Sequence, residues 1–388
     1  MAARKPFVVA LGDPKYVGQE FLNEFKKDFD FEILPATNRK ETQDLLPQLI
    51  ARRGPVHAFI IRMGTPPYEP FDEDLLGSLL PHCKIITSGS AGFNEFDVDW
   101  MTRNKIWFCN TRNAVAEATA DMALFLILAV LRDTTRAEKG ARSDSWKAGL
   151  VPCRDPTGMT LGVVGMGAIG KVRLTLLSYL PYFTRRLDPR TEPFSYNLFK
   201  PSSTFPNLCV NFHFTAMVDR DVQYTARKAL AFNMEIHYHN RHRLPPEVEA
   251  EYHATYHSTL HSLLAQSDVV SLSCPLNRET TNLMSHAEFA AMKPGSFLVN
   301  TSRGAVVDEA ALIDAMESGK VTRAGLDVFC NEPNIDPYLK TSDKIVAQPH
   351  MGGLTDVAFG KSERECFENI RSLWRTGRPV APVNEVVE

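Results

Sequence analysis

The feature that most restricts the fold of this chain is a glycine-rich turn that directly follows a short apolar run. The run Leu161–Val164 leads into Gly165-Met-Gly-Ala-Ile-Gly170, the spacing with which a buried strand passes into a helix at a nucleotide phosphate site. Gly165 permits the tight turn, Gly167 lets the backbone approach a pyrophosphate, and Gly170 lets the helix pack closely on the strand. Free N–H groups and the helix dipole then attract the phosphates. The pattern predicts a dinucleotide site, although glycines at this spacing are by themselves a weak signal.

Strand-like apolar segments alternate with helical segments on both sides of this turn. Before it, the predicted strands are Phe7–Leu11, Phe31–Leu34, Ala58–Ile61 and Lys84–Thr87, and the predicted helices include Lys40–Ala51, Asp72–Leu80 and Ala114–Leu131. After it, the predicted strands are Met234–His239, Val269–Cys274, Phe297–Asn300, Ala324–Val328 and Lys344–Ala347, with helices at Ser285–Met292 and Glu309–Glu317. Such alternation is typical of parallel sheets covered by helices on both faces. The sequence therefore predicts the α/β class, with two doubly wound parallel sheets.

Length and composition narrow the range of functions. The 388 residues suffice for two domains, and a net charge of −3 with a pI near 6.4 gives no general electrostatic reason to bind nucleic acid or an anionic membrane. The longest apolar run, Met122–Leu131, is too short to cross a bilayer, which needs about 20 residues. The seven cysteines show no CxxC spacing, which predicts neither a disulfide framework nor a metal site. We therefore expect a cytoplasmic protein without nucleic-acid, membrane or metal partners.

Three fragments in the last quarter of the chain carry residue types suited to reducing the carbonyl of a 2-oxo acid. That reaction needs a cation that holds the carboxylate and polarises the carbonyl, an acid/base for the alcohol proton, and a partner for that acid/base. Arg303, after a predicted strand, offers a bidentate guanidinium. His350 lies between a proline and two glycines, and Glu332 offers a carboxylate. Taken singly, Arg303 and Glu332 can equally be surface charges and His350 a turn residue.

The turn after the predicted strand Met234–His239 indicates which nicotinamide cofactor is preferred. An NAD site usually carries an acidic residue here, which binds the ribose 2′-hydroxyl. This chain instead has Asn240, Arg241 and Arg243, so no carboxylate repels a 2′-phosphate and two guanidinium groups can pair with one. The turn favours NADP over NAD. The alternative interpretation is a basic surface turn without a ligand.

Taken together, the motifs resemble those of the D-isomer-specific 2-hydroxyacid dehydrogenase family, from about Phe7 to about Pro382. The matching stretches are Gly162–Gly170, Met292–Glu309, Ala324–Phe329, Asn331–Pro333 and Pro349–Gly353. The resemblance implies hydride transfer between NAD(P)H and a 2-oxo acid. In that reaction Arg303 would bind the substrate carboxylate and carbonyl, His350 would donate the proton and Glu332 would support His350. Shorter matches resemble fungal members acting on glyoxylate, hydroxypyruvate or bulkier acids such as mandelate.

The resemblance also implies a domain organisation and a set of contacts. A flavodoxin-like substrate domain would comprise 1–112 and 347–388, a Rossmann cofactor domain would comprise 113–346, and the chain would form a homodimer through the region around Ala114–Leu131. The residues implied to contact the cofactor are Gly165, Gly167, Ala168, Ile169, Gly170, Asn240, Arg241, Arg243, Cys274, Pro275, Thr280, Thr301, Asp327 and Thr119. Those implied to contact the substrate are Ser90, Ala91, Gly92, Arg303 and His350. Closure of the cleft between the domains would exclude water from the path of the hydride.

The segment 172–223 departs from both the family pattern and the expected helix. The helix after Gly170 should continue unbroken, but prolines occur at 181, 189, 193, 201 and 206. Joining Lys171 directly to Tyr224 restores one continuous amphipathic helix. Valine codons begin with GT and glutamine can be encoded by CAG, so the first and last residues of the segment fit a translated intron. A genuine insertion is the alternative, and sequencing the transcript distinguishes the two.

Three functions are compatible with these observations. The first is a reductase of small 2-oxo acids with NADP or NAD as cofactor. The second is a dinucleotide-sensing binding protein of the corepressor type, because corepressors related to this family also keep the catalytic residues. The third is an inactive product of mis-splicing. Assays of NADPH and NADH oxidation with 2-oxo acids separate the first from the other two.

Overall fold

Two parallel sheets organise the part of the chain that the computed structural model describes, residues 5–147, 149–166 and 220–386. The strands of the first sheet are β1 (Phe7–Leu11), β2 (Asp30–Leu34), β3 (Ala58–Ile61), β4 (Ile85–Ser88) and β5 (Trp107–Cys109). Those of the second are β6 (Thr160–Val164), β7 (Glu235–His239), β8 (Thr255–Tyr256), β9 (Val269–Leu272), β10 (Ser296–Asn300), β11 (Val321–Leu326) and β12 (Ile345–Ala347). The first sheet has the order β2-β1-β3-β4-β5, and the second has the order β12-β11-β10-β9-β6-β7-β8. The first order is flavodoxin-like and the second is a Rossmann order extended by one strand, so the predicted fold class is confirmed.

Helices connect the strands and cover the sheet faces. They are α1 (Gln19–Asp28), α2 (Arg39–Arg53), α3 (Glu73–Leu76), α4 (Val98–Arg103), α5 (Arg112–Leu131), α6 (Thr134–Ala141), α7 (Arg220–Leu230), α8 (Pro246–Glu251), α9 (Leu260–Leu264), α10 (His286–Ala291), α11 (Glu309–Glu317), α12 (Pro337–Thr341) and α13 (Asp356–Thr376). Turns of 3-10 helix lie at Pro66–Tyr68, Gly77–Leu79 and Gly304–Val306. The side chains of Asn38, Asp308 and Thr355 accept backbone N–H groups at the starts of α2, α11 and α13, which helps to fix where these helices begin.

The first sheet buries both of its faces, because successive residues of a strand point to opposite sides. One face packs Val9 against Leu46 of α2. The other packs Val8 against Phe25 of α1 and Phe367 of α13, and the ring centroids of these two phenylalanines are 4.7 Å apart. The core of the first sheet therefore includes a helix from the far end of the chain. The domain boundaries at 112 and 347 stay a prediction.

The second sheet brings the predicted functional segments to one edge. Its strands β9 and β10 are buried along their whole length, and they pack against Leu312 of α11. Because the strands are parallel, the residues that follow each of them emerge at the same edge, where ligands of open α/β sheets bind. The residues that follow the strands at this edge include Gly165, Asn240, Cys274, Arg303, Asp327 and His350.

Helix α5 packs against β10, β11, α7 and α13. Gly325 on β11 allows the close approach, because a Cβ there would lie 2.9 Å from the Cβ of Leu126. By length and composition Asn113–Leu131 is also apolar enough to span a membrane, and just over half of its most apolar window is buried inside the protein. The apolar stretch is thus longer than Met122–Leu131, the run that was predicted to be too short to cross a bilayer, because alanines extend it toward the N-terminus. Packing inside the fold accounts for much of this apolar character.

Most predicted elements are confirmed to within a few residues, and the departures have local causes. The predicted helix Asp72–Leu80 is a four-residue α3 followed by a 3-10 turn, because Gly77 interrupts it. Helix α7 begins at Arg220, before the predicted start at Tyr224. In the turn that follows α7, Asn233 adopts a φ of 56°. The part of the segment 172–223 up to residue 219 lies outside the described residues.

Candidate active site

One buried carboxylate holds the backbone turn that carries His350. This residue follows β12 with a φ of 53°, which is uncommon for a residue with a side chain. Asp327, only 1% exposed, accepts the N–H groups of Met351 and Gly352, each at 2.8 Å, and its carbonyl accepts the N–H of His350 at 2.8 Å. These bonds hold a strained turn and set the direction of the imidazole. The resemblance places Asp327 near the nicotinamide. In the structure, both of its carboxylate oxygens accept backbone N–H groups.

The imidazole of His350 is hydrogen-bonded to Glu332. Nδ1 lies 2.8 Å from Oε2 of Glu332, and Oε1 accepts the N–H of Phe329 at 2.8 Å. Burial by itself raises the pKa of Glu332, but the hydrogen bonds from His350 and Phe329 and the charges of His350 and Arg303 outweigh it and lower the pKa below its ordinary value. Glu332 is therefore ionised at neutral pH. It orients the ring through Nδ1 and leaves Nε2 as the nitrogen that can exchange a proton with a ligand.

Arg303 reaches from the second sheet to a loop of the first. It lies in the turn after β10, where Asn300 accepts the N–H and hydroxyl of Ser302 and donates to the carbonyl of Arg303. Nε of Arg303 donates to Oδ1 of Asn94 at 3.3 Å. A Cβ added to Gly92 would overlap the guanidinium. The lack of a side chain at Gly92 therefore lets Arg303 lie against the loop after β4.

Close backbone packing brings the Arg303 turn next to the loop of Glu332. Gly304 begins a 3-10 turn, and a Cβ there would overlap the backbone of Phe329. The charge of Arg303 acts on Glu332, which in turn bonds His350. The structure thus brings the three predicted residues together at the carboxyl edge of the second sheet. Their catalytic role stays a prediction.

The turn Ser90–Gly92, predicted to bind the substrate, is held by the neighbouring segment. The carbonyl of Ser90 accepts the N–H of Thr111 at 3.2 Å, and the carbonyl of Ala91 accepts the side-chain amide of Asn110. Because Gly92 packs against the guanidinium described above, this turn lies beside the candidate catalytic residues.

Two residues that the sequence analysis did not single out belong to this site. Asn94 accepts the hydrogen bond from Arg303. Burial raises the pKa of its neighbour Glu95, against the opposing effects of the Glu95 backbone and of the charges of Arg303 and His350. The only signal in the sequence was their position directly after Phe93, close to Gly92.

The strand ends predicted to bind the cofactor meet at a close backbone approach. Gly165 has a φ of 96°, and a Cβ there would lie 2.6 Å from the backbone nitrogen of Cys274. Glycine is therefore required where β6 meets the end of β9. Burial raises the pKa of the Cys274 thiol to about 11, so this thiol is protonated at neutral pH. The predicted contacts Gly167, Ala168, Ile169 and Gly170 lie outside the described residues.

Asn240 presents an unsatisfied acceptor at the end of β7. Its side-chain amide donates to the carbonyl of Met166, and this bond sets the orientation of the amide. Oδ1 is buried and has no hydrogen-bond partner in the described part of the chain. Buried acceptors are rarely left without a donor, and ribose hydroxyls are donors. The residue therefore fits the predicted nucleotide site.

The two arginines of this turn differ in their surroundings. Nε and Nη2 of Arg243 donate to the two carboxylate oxygens of Glu249 at 2.8 and 2.9 Å, which occupies the guanidinium. Arg241 pairs with Glu279 at 3.0 Å, and their side chains are 74% and 69% exposed. An exposed pair of this kind contributes about 0–1 kcal/mol, so an incoming phosphate can replace it. Arg241 is thus paired through one N–H group and Arg243 through two, and the predicted contact of either with a 2′-phosphate stays a prediction.

The remaining predicted contacts lie around the same edge. Thr119 of α5 packs against the turn at Gly352. The hydroxyl of Thr280 donates to the carbonyl of Pro275 at 2.6 Å and closes the loop after β9. Thr301 directly follows β10. No cluster of three potential metal ligands occurs within residues 5–147, 149–166 and 220–386.

Comparison with known proteins identifies the family. Residues 124–193 and 222–352, more than half of the chain, match the D-isomer specific 2-hydroxyacid dehydrogenase, NAD binding domain. The chain belongs to this family. Dehydrogenase efuE of Hormonema carpetanum is 52% identical to this 2-hydroxyacid dehydrogenase over 386 residues, which cover 100% of the chain and 84% of that relative.

Two solved structures share the fold over nearly the whole length. A glyoxylate reductase from Paecilomyes thermophila has a TM-score of 0.77 and 30% identity and covers 98% of both chains. The holo form of Rhodotorula graminis D-mandelate dehydrogenase has a TM-score of 0.80 and 27% identity and covers 99% of both chains. As a 2-hydroxyacid dehydrogenase, the chain is an NAD(P)-dependent oxidoreductase. The family match does not cover residues 194–221, which lie within the segment 172–223. The origin of that segment as a translated intron stays a hypothesis.

We expect Glu332→Gln to lower the kcat of this 2-hydroxyacid dehydrogenase by roughly 10²- to 10⁴-fold. The amide keeps the size of the side chain but removes the negative charge that stabilises a protonated His350 ring. Steady-state kinetics with a 2-oxo acid measure the effect. Glu309→Gln is the control, because the Glu309 carboxylate instead accepts the N–H of Cys330. A Glu332→Gln enzyme with native kcat would contradict the assigned role.

Proposed function

We propose that this 2-hydroxyacid dehydrogenase acts as a reductase of 2-oxo acids, with Arg303, His350 and Glu332 as its catalytic residues. The observation that carries the proposal is the hydrogen bond between His350 and Glu332, next to a guanidinium that packs on Gly92. A substrate carboxylate needs a cation, and its neighbouring carbonyl oxygen needs a proton donor as an alcohol forms. This arrangement supplies both.

Each residue has a distinct task in the proposed reaction. Arg303 binds the substrate carboxylate through two N–H groups and polarises the carbonyl. Nε2 of His350 donates the proton that becomes the hydroxyl hydrogen, while Glu332 stabilises the imidazolium until transfer. A reduced nicotinamide, when bound, would supply the hydride that the carbonyl carbon of the substrate takes up. In the reverse direction His350 accepts the proton of the alcohol.

We infer that the substrates are small 2-oxo acids such as glyoxylate and hydroxypyruvate, or bulkier ones such as phenylglyoxylate. The support comes from the two solved structures, which are a glyoxylate reductase and a D-mandelate dehydrogenase. Both cover nearly the whole of this chain, so the comparison includes the loops around the candidate active site.

A spectrophotometric assay tests the reductase function. Oxidation of NADPH and of NADH is followed with glyoxylate, hydroxypyruvate and phenylglyoxylate, and His350→Gln serves as the control. We expect turnover by the full chain and a drop in kcat of roughly 10²- to 10⁴-fold in the variant. Cofactor binding without turnover of any 2-oxo acid would instead indicate a dinucleotide-sensing protein. Neither binding nor turnover would indicate a mis-spliced product.

We propose that NADP is preferred over NAD, with Arg241 pairing with the 2′-phosphate. Arg241→Ser should then weaken NADPH binding about 10- to 100-fold and change NADH binding far less, because only NADPH carries the phosphate. Fluorescence titration of both cofactors measures the effect. Arg243→Ser is the control, because it removes a guanidinium of the same turn that is already paired with Glu249. This variant should change the binding of both cofactors to the same extent. Equal losses of both cofactors in Arg241→Ser would argue against the assignment.

We propose that the chain forms a homodimer through α5 and the segment that follows α6. Large apolar side chains are exposed there, with Phe125 49%, Trp146 66% and Val151 65% accessible. Apolar side chains that form one contiguous exposed patch are typical of an interaction site, and a dimer through this region would bury these three. We expect sedimentation velocity to give the mass of two chains, and a Phe125→Ser/Trp146→Ser variant to give the mass of one. A native protein that sediments with the mass of a single chain would rule the dimer out.

We propose a reducing, cytoplasmic location. Cys153 and Cys330 are exposed free thiols, which persist where disulfides are rare. Microscopy of a tagged chain that shows it inside an oxidising organelle would contradict this proposal.

A further inference from the structure

A small cavity lies where ligands of an open α/β sheet usually bind. In the first sheet the strand order reverses between β1 and β3, and clefts beyond the carboxyl ends of such strands are the usual ligand position. The cavity is lined by Gly12 after β1, Arg62 after β3, Gly89 after β4, and Ser362 and Glu363 of α13. The reaction proposed above assigns no task to any of these residues.

Glu363 is a buried carboxylate that is only half satisfied. Its side chain is 6% exposed, and Oε2 accepts the N–H groups of Tyr16 and Val17, each at 2.7 Å. Oε1 of Glu363 and Nε of Arg62 are both buried, and neither has a hydrogen-bond partner among the described residues. These two atoms are 3.9 Å apart. Burial raises the pKa of Glu363 above its ordinary value, against the N–H groups of Val17 and Tyr16 and the charge of Arg62. The cavity volume of about 10 Å³ leaves room for about one water molecule.

The cavity adjoins the turn predicted to hold the substrate carboxylate. Strands β3 and β4 are paired neighbours, so Arg62 and Gly89, the first residues after them, leave the sheet side by side. The hydroxyl of Ser362 donates to the carbonyl of Gly89 at 2.6 Å, and the chain continues directly into Ser90–Gly92. The backbone of Arg62 therefore lies next to the start of the substrate turn. Its guanidinium lies near Glu363 and the ring of Phe359, and 32% of its side chain is exposed.

We propose that Arg62 and Glu363 form a specificity-determining pair for the substrate of the reductase. Arg62 is a second cation beside the substrate turn, and Glu363 neutralises it. The native chain then accepts a 2-oxo acid with one carboxylate, whereas a second, distal carboxylate must compete with Glu363 for Arg62 and is repelled by its charge. The inference rests on the proposed function, because it concerns the substrate of the same site.

The variant Glu363→Gln tests the pair. Its amide oxygen can still accept the N–H groups of Tyr16 and Val17, while the charge facing Arg62 is gone. We expect the ratio of kcat/KM for 2-oxoglutarate to kcat/KM for glyoxylate to rise about tenfold, mainly through the KM of the diacid. A merely structural role would lower both values together. An unchanged ratio would overturn the proposal.

Two further variants serve as controls. Glu368→Gln changes a carboxylate on the same helix that pairs with Arg371, and it should keep the native ratio. The double variant Arg62→Gln/Glu363→Gln should lose the gain, and a gain that survives without Arg62 would overturn the pairing. If Glu363→Gln fails to fold, Arg62→Gln alone should lower the ratio, because Glu363 then repels the diacid without compensation. An unchanged ratio in that variant would also overturn the proposal.

Binding measurements distinguish failure of this inference from failure of the proposed function. A native chain that reduces no 2-oxo acid would refute the reductase function. The pair is then judged by isothermal titration of 2-oxoglutarate and glyoxylate into the NADPH-loaded chain. An approximately tenfold lower Kd for the diacid in Glu363→Gln supports the pair, and equal Kd values in native and variant chains refute it.

Discussion

The buried carboxylate of Asp327 holds the geometry on which the candidate active site depends. It joins the end of β11 to the loop after β12, because both of its oxygens accept N–H groups of the turn that follows His350. A buried anion without such partners costs several kcal/mol, and backbone N–H groups without an acceptor add to that cost. Carboxylate and turn therefore stabilise each other. His350 can keep a positive φ while its ring meets Glu332.

Glycines decide how closely the other parts of the site approach. Gly304 lets the Arg303 turn touch the backbone that leads to Glu332, and Gly92 lets the guanidinium lie on a loop of the other sheet. A methyl group at either position would displace Arg303 without altering any catalytic group. The placement of the guanidinium is thus a property of the backbone as much as of the side chain.

Local patterns account for what could be predicted from the sequence. Apolar runs and glycine turns mark where strands end, and parallel strands end at one edge, so Arg303 and His350 could be expected together. Contacts between distant residues leave no local pattern: a basic turn looks the same whether Arg243 is free or, as here, held by Glu249. Helix α13 was not predicted, because its buried face includes polar residues such as Glu363, which interrupt the apolar stripe of an ordinary core helix.

The balance of charge in the site suits a substrate that enters and leaves as an anion. In the proposed reaction the substrate carboxylate neutralises Arg303, while Glu332 stabilises the protonated ring of His350. Glu95 adds a partly buried carboxylate within electrostatic reach of both cations. In that reaction the carbonyl carbon would take a hydride and the carbonyl oxygen a proton from His350, so the positive charge that His350 loses would be balanced by the positive charge of the oxidised nicotinamide. The net charge of the site would therefore not change, and Glu332 and Glu95 would face a cation in the complexes of both the oxo acid and the hydroxy acid.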